Sequence, residues 1–129
     1  METIIIKGTS TTPLIILDTT EGILEIKGVS IVENAIAFYR PLIEGLDIYI
    51  SGPVAPIVVN IHLDYFNTSS SKSILDILKR LKILNEKGIN VTINWYYDKE
   101  DQDMEEVGIN YQAIVNLPFN MKPIMSLSA

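Results

Sequence analysis

Apolar and polar positions along the chain change period several times, and each change marks an element. Thr3–Ile6, Leu14–Leu17 and Ile23–Ile26 are short β-branched or aliphatic runs, which predict three strands. Thr11-Thr12-Pro13 breaks the first pair. Asp18-Thr19-Thr20-Glu21-Gly22 separates the second pair with turn-forming residues, as a hairpin requires. From Glu33 to Ile50 the period becomes helical. Ala35, Tyr39, Leu42, Leu46 and Tyr49 recur at spacings of three and four, with Ile36, Ile43 and Ile50 widening the stripe. Pro41 falls inside it and predicts a kink or a helix restarting there; Ser51-Gly52-Pro53 ends it.

Ile57–Phe66 alternates cleanly. Ile57, Val59, Ile61, Leu63 and Tyr65 share one face, and Val58, Asn60, His62, Asp64 and Phe66 the other. The first face is core; the second, with Asn, His and Asp, is only partly covered. After Asn67-Thr68-Ser69-Ser70-Ser71-Lys72 a helix runs to Glu86, burying Ile74, Ile77, Leu78, Leu81 and Leu84 and stopping at Lys87-Gly88. Ile89–Trp95 is a further strand. A short helix with Met104, Val107 and Tyr111 inward comes next, and Val115–Phe119 is a last short strand. Strands alternating with helices give an α/β fold, expected as a mixed sheet of about five strands with helices mainly on one face.

The chain has 129 residues, 47% of them apolar, including 22 isoleucines. Its mean hydropathy is +0.24. That is a globular core of one-domain size, residues 1–129, rich in strand formers. The net charge is −6, from 16 acids and 10 bases, which argues against nucleic acid as a partner because phosphates must be met by Lys and Arg. Asp98–Glu106 alone holds six acids and one base, leaving ten acids and nine bases elsewhere. Asp101 and Asp103 within it favour the positive end of the helix they open.

There is no cysteine, so thiolate catalysis, disulfides and sulfur-ligated metals are excluded. The longest unbroken apolar run, Ala35–Tyr39, is five residues, against the roughly 20 of a membrane span. No basic-then-apolar leader opens the sequence, so the expected location is the cytoplasm.

No metal or cofactor is called for. Read as an EF-hand loop from Asp98, position 6 is Asp103 and position 12 is Ile109; from Asp101 they are Glu106 and Gln112. Neither register supplies the Gly and the Glu. His62 is the only histidine and Asp64 lies two residues on, but no Ser or Cys is placed to complete a triad. No phosphate-binding or dinucleotide glycine fingerprint occurs. No catalytic residues are assigned, and the expectation is a protein that is not an enzyme.

The hydroxyl cluster Thr68-Ser69-Ser70-Ser71 stands between strand and helix. Capping accounts for one or two hydroxyls, not four in succession. A helix start also stabilises an anion. A phosphate on Thr68 or Ser69 would sit there, with Lys72 one turn on, and add about −1.5 to −2 charges.

Asp64-Tyr65-Phe66-Asn67-Thr68-Ser69-Ser70-Ser71-Lys72 followed by Leu75-Asp76-Ile77-Leu78 resembles the SiaC family of bacterial regulatory phosphoproteins. So do Thr12-Pro13, Gly28-x-Ser30 with Glu33-Asn34, Phe38-Tyr39-x-Pro41, Trp95-Tyr96-Tyr97-Asp98 and Leu117-Pro118-Phe119, in their order and spacing. The resemblance implies a STAS-like domain in a partner-switching pathway. A Ser/Thr protein kinase would phosphorylate Thr68 and a PP2C-type phosphatase would remove the phosphate. The unphosphorylated form would bind and activate a GGDEF diguanylate cyclase, raising cyclic di-GMP and promoting biofilm formation. Asn67, Ser69, Ser70, Ser71 and Lys72 would form the phosphate loop that partners contact.

Val32 stands where the family commonly has Pro. Anti-anti-sigma domains carry their acceptor one hydroxyl later, which makes Ser69 the alternative. An anti-anti-sigma factor binding an anti-sigma kinase is the alternative function. A small-ligand module built on Asn60, His62 and Asp64 is a third reading, and it requires a closed pocket beside that strand. Glu33 and Asn34 are expected to cap the first helix.

Overall fold

The computed structural model describes residues 3–52 and 55–125, so the expected helix stop at Pro53 lies outside the described residues. Nine elements run in order: β1 (Ile4–Ile6), β2 (Leu14–Asp18), β3 (Ile23–Ser30), α1 (Ala35–Ser51), β4 (Ile57–Phe66), α2 (Thr68–Glu86), β5 (Val91–Asp98), α3 (Gln102–Val115) and β6 (Phe119–Ile124). The six strands form one sheet in sequence order, one more strand than the expected five. β1–β2 and β2–β3 pair antiparallel; β3–β4, β4–β5 and β5–β6 pair parallel.

The strand order explains why the helices share a face. Each of the three parallel connections advances one strand in the same direction across the sheet. Crossovers of one hand then place every helix on the same side. The β2–β3 hairpin closes locally: Asp18 Oδ1 accepts from the amides of Thr20 (3.1 Å) and Glu21 (3.0 Å). Gly22 turns the chain with φ +70°, a conformation other residues rarely adopt.

Between sheet and helices lies a single core. The α2 stripe Ile74, Ile77, Leu78, Leu81 and Leu84 is fully buried, as is the α1 stripe Ala35, Tyr39, Leu42, Leu46 and Tyr49 to within 3%. Trp95, the largest buried side chain, stacks on Phe119 at 6.0 Å and meets Tyr111 edge-on at 5.8 Å. Burying these stripes stabilises by roughly 1.5–3 kcal/mol per large aliphatic side chain.

Four expectations need correction. Of the two outcomes expected at Pro41, a kink or a restart, the restart does not occur: α1 is one continuous helix through Pro41, because Pro forfeits a single bond that packing of the stripe outweighs. Ile36 does not widen that stripe; it is 72% exposed. Val115 closes α3 rather than opening a strand, because Asn116 leaves the helix in the left-handed conformation (φ 54°) and β6 begins only at Phe119. The strand placed at Ile89–Trp95 is Val91–Asp98, since Ile93, Trp95 and Tyr97 carry the inward alternation.

The alternation of β4 fails at its end. Gly28 pairs with Leu63 and Val29 with Tyr65, so Asp64 is an extra residue with no partner on β3. Such a bulge reverses the phase of the residues after it. Tyr65, expected in the core, is 56% exposed, while Phe66 packs against the core.

Candidate functional site

Asn67 joins β4 to α2 and is held at four points. Its backbone N–H donates to Ser30 O (3.0 Å), and its Nδ2 to Val32 O (3.0 Å). Its Oδ1 accepts from Ser70 N (2.9 Å), and its carbonyl from Ser71 N (3.0 Å). The helix cap is therefore Asn67, and the next four residues, all bearing hydroxyls, form the first turn of α2 rather than a loop. Asn34 caps α1 in the same way, accepting from Ala37 N at 3.1 Å, as expected, while Glu33 is exposed.

The four hydroxyls have different situations. Ser70 is fully buried: its Oγ accepts from Ser30 Oγ (2.7 Å) and donates to Ser30 O (3.0 Å). Ser30 Oγ also meets Tyr39 Oη at 2.6 Å. Each hydroxyl owns one proton. The proton of Ser30 goes to Ser70, so Tyr39 donates, and the chain runs Tyr39 to Ser30 to Ser70 to Ser30 O. Burial raises the Tyr39 pKa above the usual 10, which keeps that donor protonated. Ser71 is half-buried and donates to Thr68 O (2.7 Å); its own carbonyl accepts from Tyr111 Oη (2.8 Å). Ser69 is half-buried, and Thr68 and Lys72 are exposed. Among the described residues, the side-chain oxygens of Thr68 and Ser69 have no hydrogen-bond partner.

Helix α2 thus starts with one exposed hydroxyl on a rigid backbone. Lys72 stands one turn along the helix from Thr68, where a side chain four residues on can reach. Ser30 at the end of β3 and Val32 in the segment after it hold the site through Asn67, and α3 holds it through Tyr111. Sequence pattern missed Ser30, Tyr39 and Tyr111. The motif Gly28-x-Ser30 was the one trace of the first.

The end of β4 and the start of α3 form a half-open cleft of about 240 Å3. It is lined by Asp64, Tyr65, Phe66, Asp101, Asp103, Met104 and Val107. Much of the acidic segment has local structural work. Asp101 Oδ1 caps α3 on Met104 N (3.0 Å), Asp98 Oδ1 accepts from Glu100 N (2.9 Å), and Glu105 accepts from Tyr97 Oη (3.0 Å).

The sheet face away from the helices carries a row of amides. Asn120 donates to Asn94 (3.1 Å), Asn94 to Asn60 (2.9 Å), and Asn60 to Glu25 (3.4 Å). Next to it is a recess of about 200 Å3 lined by Glu25, Ile26, Lys27, Asn60, His62 and Tyr96. His62 Nε2 lies 3.8 Å from Asp64 Oδ1, but Asp64 does not line the recess. The small-ligand reading needed a closed pocket with all three polar residues. It meets a recess on an uncovered face whose amides already bond one another. Among the described residues, no group of three or more His, Cys, Asp or Glu is placed to hold a metal ion, and no helix is long and apolar enough to cross a membrane.

The structure is a mixed α/β domain that presents an exposed hydroxyl, Thr68, at the start of a helix fixed by Asn67. Residues 6–124 match the SiaC family of regulatory phosphoproteins, and the chain belongs to that family. An uncharacterized protein of Pseudomonas aeruginosa (strain UCBPP-PA14) is 30% identical over 114 residues, covering 88% of this chain and 90% of its own. The crystal structure of apo-SiaC from Pseudomonas aeruginosa superposes with a TM-score of 0.87 at 29% identity, over 95% of this chain and 99% of that one. A chain in the crystal structure of the diguanylate cyclase SiaD in complex with its activator SiaC, from the same organism, matches with a TM-score of 0.88 at 28% identity. That match covers 94% of this chain and 99% of the other.

Proposed function

We propose that this protein is a phosphorylation-controlled activator of a diguanylate cyclase, with Thr68 as the phosphate acceptor. A Ser/Thr kinase adds the phosphate, a PP2C-type phosphatase removes it, and the unphosphorylated form binds the cyclase in the cytoplasm. Cyclic di-GMP then rises and biofilm formation is promoted. The protein acts by binding, and the catalytic chemistry belongs to its partners.

The observation that carries this reading is the exposure of Thr68 at the first position of α2, its hydroxyl unbonded and its backbone fixed by Asn67. A kinase needs an accessible nucleophile held in one geometry. Ser70 offers neither access nor a free proton, Ser71 is committed to Thr68 O, and Ser69 is half-buried. The relative crystallised with a diguanylate cyclase as its activator supports the choice of partner.

The switch is electrostatic. A phosphate on Thr68 brings about −1.5 to −2 charges. The free amides at the helix start and Lys72 stabilise it while it stays in water. A partner packing dry over the same turn must desolvate a dianion, at a cost of several kcal/mol. Each 1.4 kcal/mol is about a tenfold loss of affinity.

Incubation with the cognate kinase tests the acceptor. Wild-type protein should take up one phosphate and Thr68→Ala none, with both equally folded by circular dichroism. Stoichiometric phosphate on Thr68→Ala would make Thr68 the wrong residue. Thr68→Asp should bind the cyclase more weakly than wild type.

A further inference from the structure

The first turn of a helix frays unless something holds it, because its leading amides have no partner within the helix. Beyond its Asn67 cap, the turn that carries Thr68 is held by two further elements. Buried Ser70 ties it to β3 through Ser30. The second tie comes from α3 and reaches Thr68 itself.

Tyr111 lies in α3, 7% exposed, with its ring edge-on to Trp95 at 5.8 Å. Its Oη donates to Ser71 O at 2.8 Å, and Ser71 Oγ donates to Thr68 O at 2.7 Å. Two bonds thus run in series from α3 to the backbone carbonyl of the acceptor residue. The bond from Lys82 Nζ to Asn116 O, just past α3, is made near the other end of α2. Packing on Trp95 needs only a ring, which Phe would supply without burying a hydroxyl that must find a partner. What the hydroxyl adds is its hold on Ser71. Burial pushes the phenol up to about 12, so it remains a donor throughout the neutral range.

We propose that Tyr111 is a positioning residue for phosphoryl transfer to Thr68: acting through Ser71, it fixes the backbone from which the acceptor hydroxyl projects. The proposal rests on Thr68 being the acceptor. Tyr111 offers almost no surface to an approaching kinase, so its effect on transfer travels through the turn. A misplacement of about 1 Å can cost roughly a hundredfold in rate. Losing one restraint of several misplaces the hydroxyl only part of the time, so about a tenfold loss is expected.

Single-turnover phosphorylation by excess purified kinase tests it, with Tyr111→Phe, Ser71→Ala, the double variant and Val115→Ala compared with wild type. Tyr111→Phe should lower the maximal rate about tenfold and leave the half-saturating kinase concentration unchanged. Ser71→Ala should act in the same direction. The double variant should be little slower than the slower single one, because the two bonds act in series. Val115→Ala is the control for stability: that side chain is buried in α3 and makes no bond to α2, so its Tm should fall while its transfer rate holds. A wild-type rate in folded Tyr111→Phe, with phosphate on Thr68, would overturn the positioning role and leave the acceptor standing. So would an equal loss of rate in Val115→Ala, or single losses that multiply in the double variant. If Tyr111→Phe does not fold, an unchanged rate in Ser71→Ala overturns the link. No phosphate on wild-type Thr68 would overturn both the acceptor and its positioning.

Discussion

Replacing Ser70 by Ala isolates the buried hydroxyl chain that anchors the start of α2. The change removes two bonds, the one from Ser30 Oγ at 2.7 Å and the one to Ser30 O at 3.0 Å. It leaves the Ser30 hydroxyl proton and the Ser30 carbonyl competing for fewer partners at a site with no solvent exposure. A buried group deprived of its partner costs about 1–3 kcal/mol. The gain in helix propensity from Ser to Ala returns only a few tenths. For a chain of this length 1 kcal/mol corresponds to roughly 4 °C in Tm, so Ser70→Ala should unfold about 4–10 °C below wild type. Ser69→Ala is the control, since that hydroxyl is half-buried and has no partner among the described residues; its Tm should stay within about 2 °C. Differential scanning calorimetry at pH 7 reads both. Equal Tm values for Ser70→Ala and wild type, or equal losses for the two variants, would refute the distinction between structural and available hydroxyls.

Two further predictions concern packing and charge. Gly108 faces Trp95 in α3: an added Cβ would lie 2.6 Å from the indole Cδ1 and Nε1 and 3.0 Å from Met121 Cε. Trp95 cannot yield easily, being stacked on Phe119 and bonded to Met104 O at 3.0 Å. Overpacking costs about 1–3 kcal/mol against the roughly 1 kcal/mol that Ala adds to a helix. Gly108→Ala should therefore lower the urea midpoint and shift the emission of the single tryptophan. Burial pushes the Tyr111 phenol up to about 12. The unfolded chain releases that proton near pH 10, the folded one two units later, so stability falls as pH rises from about 10 to 12. Urea titrations should show a shallower fall over that window in Tyr111→Phe.

The features legible in the sequence were those that local period records. The stripe Ile74–Leu84 repeats every three or four residues, and all five of its members are buried. Five strand runs could be read from alternation and turn residues; the sixth, expected at Val115–Phe119, begins only at Phe119. Tyr65 could not be placed, because the bulge that expels it depends on pairing between Gly28 and Leu63, 35 residues apart in the chain. Val115 was misplaced because an apolar run of that length fits a helix end as well as a strand. The site divides similarly. Asn67–Lys72 read as a helix start carrying spare hydroxyls. That Ser70 is buried and Thr68 exposed depends on Ser30 and Tyr39, brought from other elements. The acidic segment read as one charged tract. In the fold, Asp101 and Asp103 meet Asp64 across a cleft that no sequence spacing encodes.

The central claim is that phosphate on Thr68 decides whether the protein activates its cyclase. Cyclic di-GMP synthesis should be monitored while the cyclase is titrated with unphosphorylated protein and, separately, with protein stoichiometrically phosphorylated on Thr68. Unphosphorylated protein should raise the rate to a plateau; the phosphorylated form should need at least about tenfold more protein to reach half of it, given several kcal/mol of desolvation. Identical activation curves for the two forms would contradict the account.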